Sequence, residues 1–496
     1  MMLRRWLAIG LAGILVSYVS IVAVYVVATK WTGTSDSLRH LDYAWQLSKG
    51  EFPSWAEGTK IPVELKGGQS WSGKPQFVSH HPPLYYAVLA PFVGQAIDHG
   101  DWRDGVFVAR VLTLCLGVLC VVAFFWTSWV VSQSPLVTLA STAVAASWTP
   151  FIRVSGDIMN DTVVVFATTL TVGISVVILR QGIKPTYVFL LSLVCALGML
   201  SRATYVGIMF ISFVVIIVAA SREANKKDAF FKSVISILTV FVVSVAASGW
   251  FYYGNYLQSG FWYRNSDQSW VAEAQGRKLR GWWKTLTSVT PYTQILKGFY
   301  GRAWIKWGSG NVNISWVVSI ASLAVLAFAA IKSFRRNEFK NWDVGLLLLI
   351  LLGANIFFQI WHAKGYGAFN VRYVLPATIV VALTVAFSAT YFRAVAIPLT
   401  WAVLTIGWSA ALLNGIWSVS PRKTRSENAL GDLFLNIEAN GFSTKLAVLL
   451  FVLAVVGLVI QLVSVYKLRF RAVDGNTAPF IPKKSFLLEF SKNGIR

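Results

Sequence analysis

An all-α, polytopic membrane bundle is the fold class that this sequence predicts, and three observations predict it. Hydrophobic residues make up 56% of the 496-residue chain and charged residues only 13%, about half the charged share with which a soluble chain coats its surface. Twelve apolar runs, most of them long enough to cross a bilayer, recur along the chain. Between them, Lys and Arg crowd alternate short connections, the charge bias that marks one face of a membrane. Backbone polar groups cannot go unpaired in hydrocarbon, so each run is expected to be helical.

The runs lie at 6–29, 106–131, 135–152, 162–179, 185–201, 203–221, 232–253, 313–331, 343–361, 371–391, 394–417 and 445–466. The first follows Arg4 and Arg5 as a signal peptide would, but it exceeds an ordinary signal segment and no small-residue cleavage site follows. It is therefore expected to be an uncleaved span. A further stretch, 82–97, is too short for an easy crossing and opens on Pro82 and Pro83, which suit a helix start. It is expected to lie at the interface. With the first residues inside, Arg180 and Lys184, then Arg222, Lys226, Lys227 and Lys232, then Lys332, Arg335, Arg336 and Lys340, then Arg393 all fall on the cytoplasmic side. Both termini are then cytoplasmic, and residues 1–466 form the membrane domain. Residues 467–496 form a basic tail that could rest on anionic headgroups. The long loops, about 30–105, 254–312 and 418–444, fall on the opposite face and are expected to build an external cap containing short interfacial helices.

Composition also excludes. The net charge of +23 is dispersed between apolar spans instead of forming one stripe, which argues against nucleic acid and for anionic membrane lipid. Cys115, Cys120 and Cys195 sit in apolar runs, so no disulfide framework of the loops follows. No phosphate-binding glycine loop, dinucleotide fingerprint or Gly-x-Ser-x-Gly elbow occurs. Matching Gly/Pro-broken spans in two halves, the mark of many carriers, do not stand out either.

Chemistry concentrates in the first outer loop. In TGTSDSLRHLDYAWQLSKGEFP, residues 32–53, Thr34 or Ser35 can cap a helix on which Asp36, Arg39, His40 and Tyr43 share a face. In VSHHPPLYYAVLAPF, residues 78–92, His80 and His81 precede the proline-started helix and neighbour Tyr85 and Tyr86. The bland reading of the first piece is a solvated amphipathic helix whose Asp sits favourably at the N-terminus.

Together these pieces resemble the C-type glycosyltransferase superfamily, multispan enzymes with an acidic residue in the first external loop followed by a (His/Lys)-Pro-Pro-Leu-Tyr-Tyr element. Within it the sequence is most similar to bacterial relatives of the dolichyl-phosphate-mannose protein mannosyltransferases and to the lipid A aminoarabinose transferase. SGDIMNDTVVV at 155–165 resembles the family's Asn-Asp element through Asn160 and Asp161, and LSRATY at 200–205 its Ser-Arg element through Arg202. FYGRAWIKWG at 299–308 and YGAFNVRYVLPA at 366–377 resemble the aromatic outer loop and the Arg-Tyr-x-x-Pro element of a related branch, the latter through Arg372 and Tyr373. The likeness runs to about residue 390. The sequence departs from it in one respect: many members carry two adjacent acids where Ser37 follows Asp36.

The resemblance implies a bacterial cytoplasmic-membrane enzyme that moves a hexose or pentose from a polyprenyl-phosphate donor to a lipid, glycan or protein acceptor. Inverting transfer needs a base for the acceptor hydroxyl and cations for the departing phosphate. Asp36 is the candidate base. Arg202 and Arg372, at the outer ends of spans, suit the phosphate, since a guanidinium buried there is costly unless an anion meets it. His81 takes the family's Lys/His position, Tyr373 can donate a hydroxyl, and His40, His80, Tyr86, Asn160, Asp161 and Arg264 complete the candidate binding set. Snorkelling anchors explain the arginines, and helix capping explains Asn160 and Asp161, without any substrate. Tyr263, Trp282, Trp283 and Trp304 could stack on sugars, although interfacial aromatic belts are general.

Asp36, His40, Asp42, His80 and His81 would suffice for a divalent metal, yet no ligand spacing marks a site, and no cofactor is assigned. Two other functions fit the same composition: a flippase or carrier of lipid-linked saccharide, which needs ionisable groups along a path through the bundle, and a noncatalytic relative that has lost its activity.

Overall fold

The computed structural model describes residues 2–32, 36–65, 69–70, 72–263, 281–288, 304–307, 310–313, 342–364, 371–419 and 429–469, with a few helical positions between 320 and 331. The elements in chain order are α1 (Met2–Ala28), α2 (Ser37–Ser48), α3 (Leu84–His99), α4 (Trp102–Ser132), α5 (Pro135–Ser147), α6 (Thr149–Ser155), α7 (Asp161–Gln181), α8 (Pro185–Met199), α9 (Val206–Ala220), α10 (Lys226–Ser259), α11 (Trp282–Thr287), α12 (Trp342–Lys364), α13 (Thr378–Tyr391), α14 (Ala396–Val419), α15 (Ala429–Ala439) and α16 (Thr444–Arg469). Two small antiparallel hairpins, Glu64–Leu65 with Gln69–Ser70 and Trp304–Trp307 with Gly310–Asn313, decorate the loops.

Among the described residues, eight helices are long and apolar enough to cross a membrane, nine if one bent pair counts as a single span. The protein is an integral membrane protein. The sequence counts twelve runs, and the difference has local causes. The run 135–152 is broken into α5 and α6, bent by 59°, where Trp148 turns extended ahead of Pro150, whose ring and missing N–H interrupt the ladder. Residues 185–201 give α8, only 15 residues long. The run 343–361 lies in α12, whose apolar part, Asp343–Phe358, is also short of a full crossing, and 313–331 lies largely outside the described residues. The run 232–253 extends to the 34 residues of α10, started by Asn225, whose side chain accepts from the backbone of Lys227 and Asp228, and ended by Gly260 at φ 72°.

Helix α7 is the centre of the bundle, with 89% of its most apolar window buried, whereas α10 and α16 have 22% buried and stand at the periphery. The expected interfacial stretch is α3. It packs with α2 around Leu38, Leu41, Tyr43, Tyr85, Tyr86, Leu89 and Val93, and Val106 and Ala109 of α4 and Val163 of α7 join the same cluster. Helix α2 is therefore held by an apolar interior that the ends of two spans share.

The last two spans, which matched no recognisable pattern, close on the first. Gly13 of α1 and Gly457 of α16 touch so closely that a Cβ on Gly457 would lie 2.6 Å from the Gly13 carbonyl and 2.4 Å from Ser17 Oγ. Beside them the buried Gln461 donates to the Gly13 carbonyl at 3.2 Å and to Ser17 Oγ at 3.0 Å, and accepts from Trp408 Nε1 at 2.9 Å. Close backbone approach plus interhelical hydrogen bonds is how helices associate where solvent supplies no hydrophobic drive. Gly457→Leu should therefore push the two helices apart, costing about 1–3 kcal/mol, and thermal unfolding of detergent-purified protein by tryptophan fluorescence should show a lowered midpoint.

Candidate functional site

Ends of α1, α2, α3, α7 and α8 and the turn 371–377 meet at one place. Helix α2 begins at Ser37, with Asp36 as its N-cap residue making no side-chain cap; Thr34 and Ser35, the expected caps, lie outside the described residues. The Asp36 carboxylate instead accepts from Arg372 Nη1 at 3.3 Å, a contact between residues 336 positions apart. Arg372 stands in the short 3₁₀ helix Val371–Ala377. Its Nε lies 3.3 Å from Asp161 Oδ2, and its Nη1 contacts Met159 Sδ at 3.3 Å. Asp161, at the first turn of α7 and 2% exposed, is also bonded by Arg202 Nη1. Both guanidinium groups lie beside the ring of Tyr373, Arg202 at 5.2 Å and Arg372 at 5.7 Å from its centroid. The result is an alternating array, Asp36–Arg372–Asp161–Arg202, with Tyr373 against its two cations. Asp36 (37% exposed) and Arg372 (18%) are its open end.

Asn160 does not cap α7, as the simplest reading of the Asn-Asp pair had it. Its amide donates to the Ser201 carbonyl at 3.2 Å, tying α7 to the loop that carries Arg202. The Leu84 N–H makes the same kind of tie to the Leu200 carbonyl at 3.2 Å. The Pro-Pro element and the Ser-Arg element are thus joined through backbone.

His40 and Tyr86 are expected from the sequence to touch substrate, but both are almost wholly buried. His40 Nδ1 bonds Tyr86 Oη at 2.8 Å, and Tyr43 stacks on Tyr86 at 3.8 Å while donating to the His81 carbonyl at 3.0 Å. These three rings form the floor that holds His81, whose ring lies parallel to His40 at 6.2 Å and 4.3 Å from His80. His80 and His81 are half-buried. Arg264 lies outside the described residues, as do the side chains of the Trp304 hairpin. Tyr263 and Trp283 are well exposed.

Burial pushes the His40 imidazole down to about 4 from its ordinary 6.5, outweighing the upward pull of Asp36. The unfolded chain accepts a proton that the folded chain refuses between those values. Stability is accordingly complete above about pH 6.5 and is lost as pH falls toward 4. At pH 5 the loss from this group should be on the order of 1–2 kcal/mol. Unfolding midpoints measured from pH 7 to pH 5 should fall, and His40→Asn should flatten that slope.

Among the described residues no three His, Cys, Asp or Glu side chains come together in a way that could hold a metal ion. Asp42, one of the sequence candidates, is turned away into the cap. It accepts from the Lys60 and Ile61 N–H groups at 2.7 and 2.8 Å and from Gln46 and Gln76. That anchors the loop over α2 and leaves Asp42 no role among the arginines.

The sequence reading passed over Arg110 and Asp157. Arg110 is 0% exposed inside α4 and lies 3.8 Å from Asp157, which accepts from the Ser37 hydroxyl at 2.8 Å. A lone arginine within an apolar run was the available signal, because such a charge needs a partner.

No protein-family model matches the sequence, and no curated protein does. In three dimensions the chain has the C-type glycosyltransferase fold. It superposes on ArnT from Cupriavidus metallidurans in the apo state with a TM-score of 0.53 at 11% identity, covering 95% of this chain and 76% of that one. The same enzyme bound to undecaprenyl phosphate gives 0.51 at 10% identity, with 94% and 76% covered. A looser likeness, TM-score 0.45 at 11% identity over 88% of this chain and 56% of the other, is to the oligosaccharyltransferase AglB from Archaeoglobus fulgidus in complex with an inhibitory peptide and a dolichol-phosphate.

Proposed function

We propose that this protein is a glycosyltransferase that moves a sugar from a polyprenyl-phosphate donor to an acceptor hydroxyl at the extracytoplasmic face of the membrane. The observation that carries the reading is the meeting of Asp36 with Arg372 at 3.3 Å, beside Arg202 and Tyr373, at the ends of apolar helices. An acid from the first loop and cations from much later in the chain share one site, as a transfer reaction on a lipid phosphate requires.

The chemistry follows from the array. A phosphodiester entering from the bilayer competes with Asp36 for Arg372, since both anions suit a guanidinium fork. Asp36, released from that pair, takes the proton of the acceptor hydroxyl as its oxygen attacks the anomeric carbon from the face opposite the phosphate. The anomeric C–O bond to phosphate breaks, and its electron pair leaves on the polyprenyl phosphate, whose added charge Arg372 and Arg202 stabilise. Tyr373 donates a hydrogen bond to that phosphate or to the sugar, and His81 lines the pyranose side. Asp161, held by both arginines, keeps them apart and oriented. ArnT, the solved structure of like fold, binds undecaprenyl phosphate, which supports a lipid phosphate as the ligand class here.

The test is transfer of a labelled sugar by detergent-purified protein from synthetic polyprenyl-phosphate hexose and pentose donors into extracted envelope lipids, glycans and proteins. Product formation supports the proposal. Transbilayer movement of an intact lipid-linked saccharide by reconstituted protein, with no transfer, would replace it with the carrier reading. A protein that binds the donor without either activity would be a noncatalytic relative.

A further inference from the structure

Arg110 is a fully buried cation whose donors are aimed at the end of another helix. Its Nη1 donates to the carbonyls of Val26 at 3.3 Å and Thr29 at 2.9 Å, and its Nη2 to that of Lys30 at 2.7 Å. These belong to the last turn of α1 and its exit, where carbonyls have no partner within the helix. Asn440, just beyond α15, adds bonds to Val27 and Thr29 at 2.8 and 3.0 Å. On its other side Arg110 faces Asp157 Oδ1 at 3.8 Å, the same oxygen that accepts from the Ile158 N–H at 2.9 Å. The remaining oxygen, Oδ2, accepts from Ser37 Oγ at 2.8 Å. One buried ion pair therefore grips both ends of the short connector that carries Asp36, upstream at Lys30 and downstream at Ser37.

We propose that Ser37, Asp157 and Arg110 are positioning residues that fix Asp36 against Arg372, so that the serine after the acid contributes alignment. This rests on the reading of Asp36 as the base. Ser37 and Arg110 meet Asp157 on either side of the connector, so the effect argued for the three passes through the placement of Asp36. A misplacement of about 1 Å at a reacting group can cost about a hundredfold in rate, which leaves room for a measurable effect from one hydroxyl.

The experiment has two arms. In the first, Ser37→Ala should lower kcat about tenfold with the donor KM nearly unchanged, and Ser37→Thr, which keeps a hydroxyl, should restore most of it. Asp157→Asn, which keeps an acceptor for Ser37 but removes the charge facing Arg110, should give the same pattern. The second arm needs no activity. Asp36→Cys and Arg372→Cys are combined in a Cys115→Ser background, removing the one exposed native thiol among Cys115, Cys120 and Cys195, and the rate of closure by a short bifunctional thiol reagent is measured. Adding Ser37→Ala should slow closure several-fold while gel-filtration elution stays the same.

Unchanged closure overturns the proposal, whatever happens to kcat. A kcat that falls equally in Ser37→Ala and Ser37→Thr also overturns it, because the hydroxyl is then not the cause. Slower closure in a protein that transfers no sugar supports the alignment while removing the proposed function, so the two failures are distinguishable.

Discussion

Asp36→Asn is expected to lower kcat for sugar transfer by about a thousandfold, within the range that general bases contribute. Asparagine keeps the size of the side chain and an oxygen that can still accept from Arg372, which lies 3.3 Å away. It cannot accept the acceptor's proton at neutral pH. The donor KM should therefore change only a few-fold, and in the direction of tighter binding, because the carboxylate that competes with the phosphate for Arg372 is gone. Steady-state transfer measured over a range of donor concentrations separates the two constants. Transfer at the parent rate in this variant would show that the proton leaves by another route and would remove Asp36 from the mechanism.

Asp161→Asn should have the largest effect on stability. Asp161 is 2% exposed and neutralises two guanidinium groups, Arg202 through Oδ1 and Arg372 through Oδ2. Removing one partner of a buried pair leaves an uncompensated charge, which costs about 3–5 kcal/mol. Here Arg202 loses its one ion-pair partner among the described residues, while Arg372 retains Asp36. The melting midpoint in detergent should drop by several degrees. Combining Asp161→Asn with Arg202→Gln should recover part of the loss, and that non-additivity is the signature of a direct interaction. Additive losses would place the stabilisation elsewhere. Transfer should fall in both variants, since Arg202 and Arg372 lose their common anchor.

The membrane class was legible because hydrocarbon leaves so few choices: an apolar run must be helical, and the runs within the described residues fall on helices. Arg202 and Arg372 could be chosen from sequence because charges at span ends demand partners, and Asp36 from its place in the first loop, although which carboxylate each arginine would meet could not. The Asn-Asp pair illustrates that limit. Capping is a local rule and applies to most such pairs, but here Asn160 reaches Ser201 and Asp161 reaches two arginines, contacts that exist only once α7 and α8 pack. His40 and Tyr86 are expected from sequence as contacts with substrate, whereas the fold buries both side chains. Nothing in their spacing reveals that Tyr43 would stack over Tyr86 and enclose both. Arg110 and Asp157 stayed hidden for a similar reason. Their meaning lies in the exit of α1, which a motif read along the chain never compares with a helix 80 residues later.

The seam between α1 and α16 bears on how the protein is made. Ser17 donates to the carbonyl of Ala454, 437 residues downstream, so α1 meets its glycine-matched neighbour only after the helices between them have been synthesised. Until then that face of α1 lacks its partner, and the exit of α1 lacks the bonds from Asn440. A chain arrested before α16 would carry every proposed reactive group and lack the clasp around α1.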